Sequence, residues 1–145
     1  MAKPVTMRFG KFRVLLGDGA DPEVFSAPCG FTQRSFNRTK ELNEEVIPDC
    51  DDEDEVAHTG RNAVSRSASI SGSGVLAKAA YPRWKEFYEA NESKNCKVEF
   101  DWGTEVTTIT QKFHLSSFEL SADLGANVQI SVQMDSDGGY TEATV

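Results

Sequence analysis

Hydrophobic and polar residues alternate along much of the chain with the period of two that predicts β-strands. The predicted strands, in chain order, cover residues 12–16, 30–42, 63–77, 96–102, 109–115 and 128–134. Beyond Leu115 the apolar positions change from odd to even numbers, to Phe118 and Leu120. A strand can change parity only through an extra residue or a bend, so we expect a β-bulge or corner at Ser116-Ser117.

One segment has helical rather than strand periodicity. Aromatic residues recur at helical spacing within residues 81–91, and Pro82 suits the first helical turn. We expect this helix to cover the open face of a sheet. The whole pattern predicts a mainly β fold, an antiparallel β-sandwich or barrel with one flanking α-helix. The predicted core residues are Trp84, Phe87, Phe100, Trp102, Phe118 and Ile130.

Serine occupies every second position in the strand predicted at residues 63–77. A strand with this pattern places all of these serines on one side of the sheet, which is then small, polar and uncharged. An ordinary solvent-facing surface has the same pattern, so the serines alone assign no function. The serines are Ser65, Ser67, Ser69, Ser71 and Ser73.

The segment from about residue 41 to 62 differs in composition from the rest of the chain. Six of the seven residues from Asp49 to Glu55 are acidic, and Pro48 precedes them. Like charges at this density repel one another and cannot be buried together, so we expect a long, mobile acidic loop. With this loop included, residues 1–145 suit a single domain, because domains commonly contain roughly 100–200 residues.

The charge balance limits the candidate functions. Fifteen Lys and Arg residues against 23 Asp and Glu residues give a formal net charge of −8. Tight general binding to nucleic acid needs clustered positive charge instead. No stretch approaches the roughly 20 apolar residues of a membrane-spanning helix. The first residues also lack the apolar segment of a secretory signal, so we expect cytoplasmic synthesis and no membrane partner.

Patterns that indicate catalysis or metal binding are absent from the sequence. There is no phosphate-binding glycine loop and no G-x-S-x-G, and neither His58 nor His114 has a partner at helical or hairpin spacing. The acidic run lacks the spaced oxygen ligands and the central glycine of a calcium-binding loop. We therefore expect no enzyme activity, no catalytic residue, no cofactor and no metal site.

The order of these features resembles that of the major tail tube protein of long-tailed, non-contractile bacteriophages. The elements most similar to that family are Phe118-Glu119-Leu120-Ser121, the acidic residue Asp123 beyond them, and the strand at 128–132. The resemblance implies a β-sandwich with a flanking helix. It also implies that six copies form a ring whose inner sheets join into a β-barrel, and that rings stack into a tube for genome delivery.

The resemblance further implies partners and sites. The chain would assemble with itself in the virion tail, next to tape measure, terminator and distal tail proteins, and DNA would pass through without specific binding. An inter-ring loop of Asp51, Asp52, Glu53, Asp54 and Glu55 would meet basic residues of a neighbour such as Arg8, Lys11 or Arg13. A lumen that lets DNA slide would be small, polar or acidic, and its candidates are Ser67, Ser69, Ser71, Glu119, Ser121, Asp123, Gln129, Ser131 and Gln133.

Two other classes of protein remain open. The tube of a contractile tail or of a type VI secretion-like system has the same layout and differs in having a sheath. A monomeric β-sandwich that binds a ligand such as carbohydrate would expose aromatic residues on a flat face. Against that class, Trp84 and Trp102 both lie within apolar patterns that predict burial.

Overall fold

A computed structural model gives the architecture of the protein and describes residues 2–19 and 24–145. One sheet contains all the strands of the described residues, and every neighbouring pair is antiparallel. The prediction of a mainly β fold with one flanking α-helix is confirmed. The strands are β1 Phe12–Gly17, β2 Phe25–Ser26, β3 Phe31–Ile47, β4 His58–Val75, β5 Lys94–Asp101, β6 Val106–Ser121 and β7 Gln129–Thr144.

The order of strands across the sheet is β2-β1-β5-β6-β7-β4-β3. Helix α1, Tyr81–Glu89, packs against β6, and a short 3-10 helix at Phe9–Lys11 precedes β1. Nowhere in residues 2–19 or 24–145 is a helix both long enough and apolar enough to cross a lipid bilayer.

The sheet bends so that its two ends enclose one core. Buried side chains come from β1, β5 and β6 on one side and from β4 and β7 on the other. Arg34 of β3 joins the two sides, because its Nη1 donates a hydrogen bond of 2.6 Å to the carbonyl oxygen of Phe12 in β1. Its guanidinium also lies 4.3 Å from the centre of the Phe9 ring. Burial lowers the pKa of Arg34, and the nearby charge of Arg13 lowers it further.

Most of the predicted core residues lie in this core. Trp84 and Phe87 of α1 and Ile130 of β7 are buried. Phe100 and Phe118 are partly buried and pack against them. The apolar periodicity therefore identified residues from four different elements that meet in space.

Trp102 is the exception, and its prediction as a core residue is wrong. Its side chain is 38% exposed. The reason is that β5 ends at Asp101, and Trp102 starts the turn that leads into β6. The backbone N–H of Trp102 donates to the carbonyl oxygen of Glu105, and Gly103 within the turn has a φ of 94°.

The predicted bulge in β6 is confirmed. Leu115 lies opposite Met134 and Ser117 lies opposite Gln133, so Ser116 is the extra residue. The Ser116 hydroxyl donates to the Gln133 carbonyl oxygen at 3.0 Å. This one-residue insertion lets β6 present apolar side chains to the core on both sides of the bulge.

The far ends of β3 and β4 extend beyond the rest of the sheet as a two-stranded ribbon. We call residues 38–68 the arm and residues 48–57 at its end the tip loop. Strand β7 pairs with β4 only between Ser69 and Val75, whereas β3 and β4 stay paired as far as Ile47 and His58.

The loop predicted over residues 41–62 is therefore wrong in its extent. Residues 41–47 and 58–62 are paired strands, and only the tip loop lies outside them. The charges of these flanking residues are fewer than in the tip loop and of both signs, so they are compatible with a ribbon. One example is the ion pair of 3.1 Å between Arg61 Nε and Glu44 Oε1 across the two strands.

Glycine alternates with serine in β4 because β3 approaches its core side closely. A Cβ atom on Gly74 would overlap the carbonyl oxygen of Gly30, and one on Gly72 would lie 3.0 Å from the Phe31 ring. Glycine is the residue that allows such an approach. The serines between these glycines point to the opposite face.

Candidate assembly surfaces

Four neighbouring strands place polar side chains on one face of the sheet, which we call the polar face. Their register aligns these side chains in rows, such as Glu119, Ser131, Ser73 and Gln33 across β6, β7, β4 and β3. The polar face consists of Gln33, Ser35, Asn37, Thr39, Ser67, Ser69, Ser71, Ser73, Ser117, Glu119, Ser121, Gln129, Ser131, Gln133 and Asp135.

Hydrogen bonds between hydroxyl groups link the strands of the polar face. Ser35 pairs with Ser71, and Thr39 Oγ1 lies 2.7 Å from Ser67 Oγ. The opposite side of β4 and β7 carries buried core residues such as Ile70, Ile130 and Met134, so the polar face is the side of these strands that faces solvent. Glu119 and Asp135 are its acidic members, and His114 lies directly opposite Asp135 on β6, with its Nε2 3.4 Å from Asp137 Oδ2.

The structure brings all but one of the candidate lumen residues together on this face. The exception is Asp123, which lies in the turn after β6, where its carbonyl oxygen accepts a hydrogen bond of 3.1 Å from the Ala126 N–H. Asp123 is thus at the end of the polar face rather than on it. The residues on the face are Ser67, Ser69, Ser71, Glu119, Ser121, Gln129, Ser131 and Gln133.

Two strand edges flank the polar face, one on each side. Strand β3 is the last in the sheet, and no strand of the described ranges pairs with its outer edge. On the other side, the pairing of β5 with β6 stops at Phe113, so residues 114–121 of β6 pair with β7 alone. Such edges offer backbone N–H and C=O groups to another chain.

The arm carries opposite charges at its two ends. The acidic side chains of the tip loop are exposed, and the carboxylates of Asp49 and Asp52 accept backbone hydrogen bonds of 3.0 and 3.1 Å within the loop. At the base of the arm, Arg38, Lys40 and Arg66 line a cleft of about 850 Å³ beside Tyr140. We call this the basic cleft. The exposed acidic residues include Asp51, Asp52, Glu53, Asp54 and Glu55.

Sequence reasoning had named different basic residues as partners for the tip loop. Two of them already lie near acidic residues of their own chain: Lys11 Nζ is 3.8 Å from Asp101 Oδ2, and Arg13 Nη1 is 3.8 Å from Glu99 Oε1. The basic cleft was missed, because its residues are far apart in sequence. The register of the β3–β4 hairpin would have been needed to find it.

The described residues include no group of three or more His, Cys, Asp and Glu side chains arranged to hold a metal ion. An open-edged sheet with a polar face and a projecting arm is typical of a subunit that assembles through its strands. A family model described as phage tail tube protein matches residues 6–142. The chain therefore belongs to the phage tail tube protein family, a structural component of the virion tail, and the resemblance seen in the sequence is confirmed.

Solved structures of tubes share the fold. The tail of an empty gene transfer agent particle, refined with C6 symmetry, is 18% identical with a TM-score of 0.75, covering 94% of this chain and 98% of that one. The SPP1 tail tube is 13% identical with a TM-score of 0.63, covering 94% and 78%. A chain from the PVC sheath–tube complex of an extracellular contractile injection system is 18% identical with a TM-score of 0.61, covering 97% and 93%. No curated protein sequence matches the chain.

Proposed function

We propose that copies of this chain join edge to edge into closed rings, and that the rings stack into the tube through which the phage genome passes. The observation that carries this proposal is the pair of open edges on opposite sides of the polar face. Pairing of the β3 edge with residues 114–121 of β6 in the next copy would extend the sheet from subunit to subunit. A heterologous contact of this kind forms a ring when its rotation closes.

The C6 symmetry of the similar gene transfer agent tail supports six copies per ring. Six copies of four strands at about 4.8 Å spacing give a barrel circumference of about 115 Å, or a diameter of about 37 Å, and strand tilt widens it further. A barrel of that width leaves room for a DNA duplex inside short side chains such as serine.

We further propose that the polar face lines this lumen. A basic wall would hold DNA through its phosphates. The polar face instead combines hydroxyl and amide groups with the carboxylates of Glu119 and Asp135, which repel DNA only within the Debye length of roughly 8 Å at physiological salt. DNA would then slide without specific binding, and Asp123 would lie at the rim.

The ends of the tube require other proteins. The structures with this fold include a tube-terminating cap and a baseplate of the anti-feeding prophage. We propose that this chain likewise meets terminator and distal tail proteins at the two ends of the tube and a tape measure protein within it. The tip loop would contact an adjacent ring.

Hydrogen exchange tests the ring contact directly. In the isolated chain, alternate amides of β3 and of residues 114–121 have no strand partner and should exchange rapidly. In assembled tubes these amides should become protected, because each would be paired with a neighbour. Residues 129–135 of β7 are the matched control, since β6 and β4 already pair with both of their edges.

Two outcomes would contradict the ring proposal. One is unchanged exchange of both edges in particles that electron microscopy shows to be tubes. The other is a chain that remains monomeric by sedimentation and electron microscopy at high concentration.

The lumen proposal has its own test. Reversing two charges with Glu119→Lys and Asp123→Lys should slow DNA ejection from virions while tubes still form, because the new amines would bind phosphates. Glu92→Lys with Glu105→Lys changes the net charge equally at exposed positions outside the polar face. Ejection kinetics equal to those of this control would reject the lumen assignment.

The tube of a contractile system is the second candidate function. Its support is the similarity to the PVC tube, which is solved together with its sheath. A sheath gene beside the gene for this chain, or a sheath protein that copurifies with its tubes, would favour this candidate. Tubes that remain bare in complete virions would favour the non-contractile tail.

A further inference from the structure

We propose that the basic cleft at the base of the arm binds the acidic tip loop of a second copy of this chain. This inference rests on the proposed assembly into stacked rings, and it names the contact that joins one ring to another. It assigns the tip loop a receptor formed by Arg38, Lys40 and Arg66.

The basic cleft holds positive charge that its own chain leaves unbalanced. Lys40 and Arg66 lie directly opposite each other on β3 and β4. Like charges at directly opposed positions are unfavourable. Within residues 2–19 and 24–145 neither side chain forms an ion pair or hydrogen bond, whereas the neighbouring Arg61 is paired with Glu44.

The third cation of the cleft is held in place without being neutralised. The Arg38 guanidinium lies 5.1 Å from the centre of the Phe36 ring and 5.2 Å from that of Tyr140. Aromatic faces attract a cation without removing its charge. The two rings therefore direct Arg38 towards the cleft, where its N–H groups remain available to a carboxylate.

The tip loop of the same chain cannot fill the cleft. The ribbon between them is paired from Leu42 opposite Ala63 to Ile47 opposite His58. Asp49 lies nine positions beyond Lys40, and β3 continues to Ile47, so the two residues are about 30 Å apart. The two complementary surfaces are thus held apart in each copy.

If a second copy is shifted along the direction of the arm by about the length of the arm, the tip loop of one copy lies at the basic cleft of the other. Each copy would then offer one acidic loop and one basic cleft, at different places on its surface. A heterologous contact between such surfaces repeats without limit, as stacking into a tube requires. The acidic run, which is unfavourable in a lone chain, would be stabilised only in the stack.

Charge reversal and its rescue test this contact. Lys40→Glu with Arg66→Glu should leave folded protein and rings but lower the number of tubes about tenfold or more, because reversed charges at a contact repel. Asp51→Lys, Asp52→Lys, Asp54→Lys and Glu55→Lys together leave the tip loop with two acidic and four basic residues, and should have the same effect. Combining the cleft and tip-loop substitutions in one chain should restore tubes, since a net positive tip loop then faces a net negative cleft.

Lys78→Glu with Lys85→Glu is the matched control. Both lysines are exposed, and the substitutions change the net charge as much as the cleft variant does. Tube number, counted by electron microscopy, should stay normal for this control.

Two results would overturn the contact while leaving the ring proposal intact. One is normal tubes from the Lys40→Glu/Arg66→Glu chain. The other is failure of the combined cleft and tip-loop variant to assemble although the control does, because the tip loop would then bind elsewhere. A parent chain that forms no rings at all would overturn the proposed function and the contact together.

Discussion

Strands β3 and β4 run through both the body of the subunit and its arm, but the two regions are stabilised differently. Along β4, residues 68–75 alternate buried and partly buried positions, whereas nearly all residues from 58 to 67 are exposed. The body buries a core that includes Trp84, Ile130 and Met134. The arm has only its own ladder and cross-strand pairs such as Arg61 with Glu44.

This difference indicates where folding ends and assembly begins. An isolated two-stranded ribbon is marginally stable in water, because it buries little apolar surface. The body can fold by itself, and the arm adds contacts that need another copy. Substitutions in the body should therefore change the free energy of unfolding, and substitutions in the arm should change assembly.

Deleting Ser116 should have the largest effect on the body. Without the extra residue, the register of β6 beyond the bulge shifts by one, and Phe118 turns from the core to the polar face. We expect the unfolding transition in denaturant, monitored by circular dichroism, to lose its cooperativity. Deletion of Asp52 in the tip loop is the control and should leave the transition unchanged. A cooperative, native-like transition for the Ser116 deletion would contradict the role of the bulge.

Substitution of the two tryptophans should give the next largest difference in unfolding free energy. Trp84→Ala removes a side chain that is only 2% exposed and should cost about 3–5 kcal/mol of unfolding free energy. Trp102→Ala removes a half-exposed side chain from a turn and should cost under about 1 kcal/mol. Urea denaturation of the two variants measures both values. Equal losses would mean that Trp102 contributes to the core.

Arg34→Met should have an intermediate effect on the free energy of unfolding. It removes the hydrogen bond to the Phe12 carbonyl oxygen across the two ends of the sheet, and we expect a loss of about 1–3 kcal/mol. Arg61→Met breaks an exposed ion pair on the arm and should cost at most about 1 kcal/mol. Thermal unfolding of both variants compares the stability contributed by the body with that contributed by the arm. A larger loss of stability for Arg61→Met than for Arg34→Met would contradict the view that the body holds most of the folding free energy.

Shortening the arm should have the smallest effect on folding and the clearest effect on assembly. Deletion of residues 45–56 should change the free energy of unfolding by under about 1 kcal/mol, because these residues lie outside the core. The protein should remain folded and form no tubes in electron micrographs. A variant with residues 50–54 replaced by glycine and serine separates the effect of charge from that of length. Tubes of normal length from the deletion would count against the arm contact.

Periodicity predicted the fold because each strand of the body has one face in the core. The change of parity after Leu115 was sufficient to place the bulge at Ser116, since a strand has no other way to change faces. The helix was equally clear, because Trp84 and Phe87 recur at helical spacing. These features are local, so the order of residues alone predicts them.

The errors arose where structure depends on pairing rather than on periodicity. Trp102 continues the alternation of β5 but lies beyond its last residue, and alternation alone does not mark where a strand ends. Residues 41–47 look like part of a loop because they contain three glutamates and lead into the acidic run, yet β4 pairs with them throughout. The basic cleft depends on the opposition of Lys40 and Arg66, which only the hairpin register reveals.

Strand β6 contributes Ile109 and Phe113 to the core and, past Phe113, leaves the outer edge of residues 114–121 open to a neighbouring copy. One continuous backbone thus connects the interior of a subunit to its proposed ring contact. Outward pressure on a ring would load the ladder bonds of that contact and pass without a flexible joint into the packed interior. Resistance to breakage under tension would then depend on the tightest packing in each subunit, and a cavity made there should weaken the whole tail mechanically.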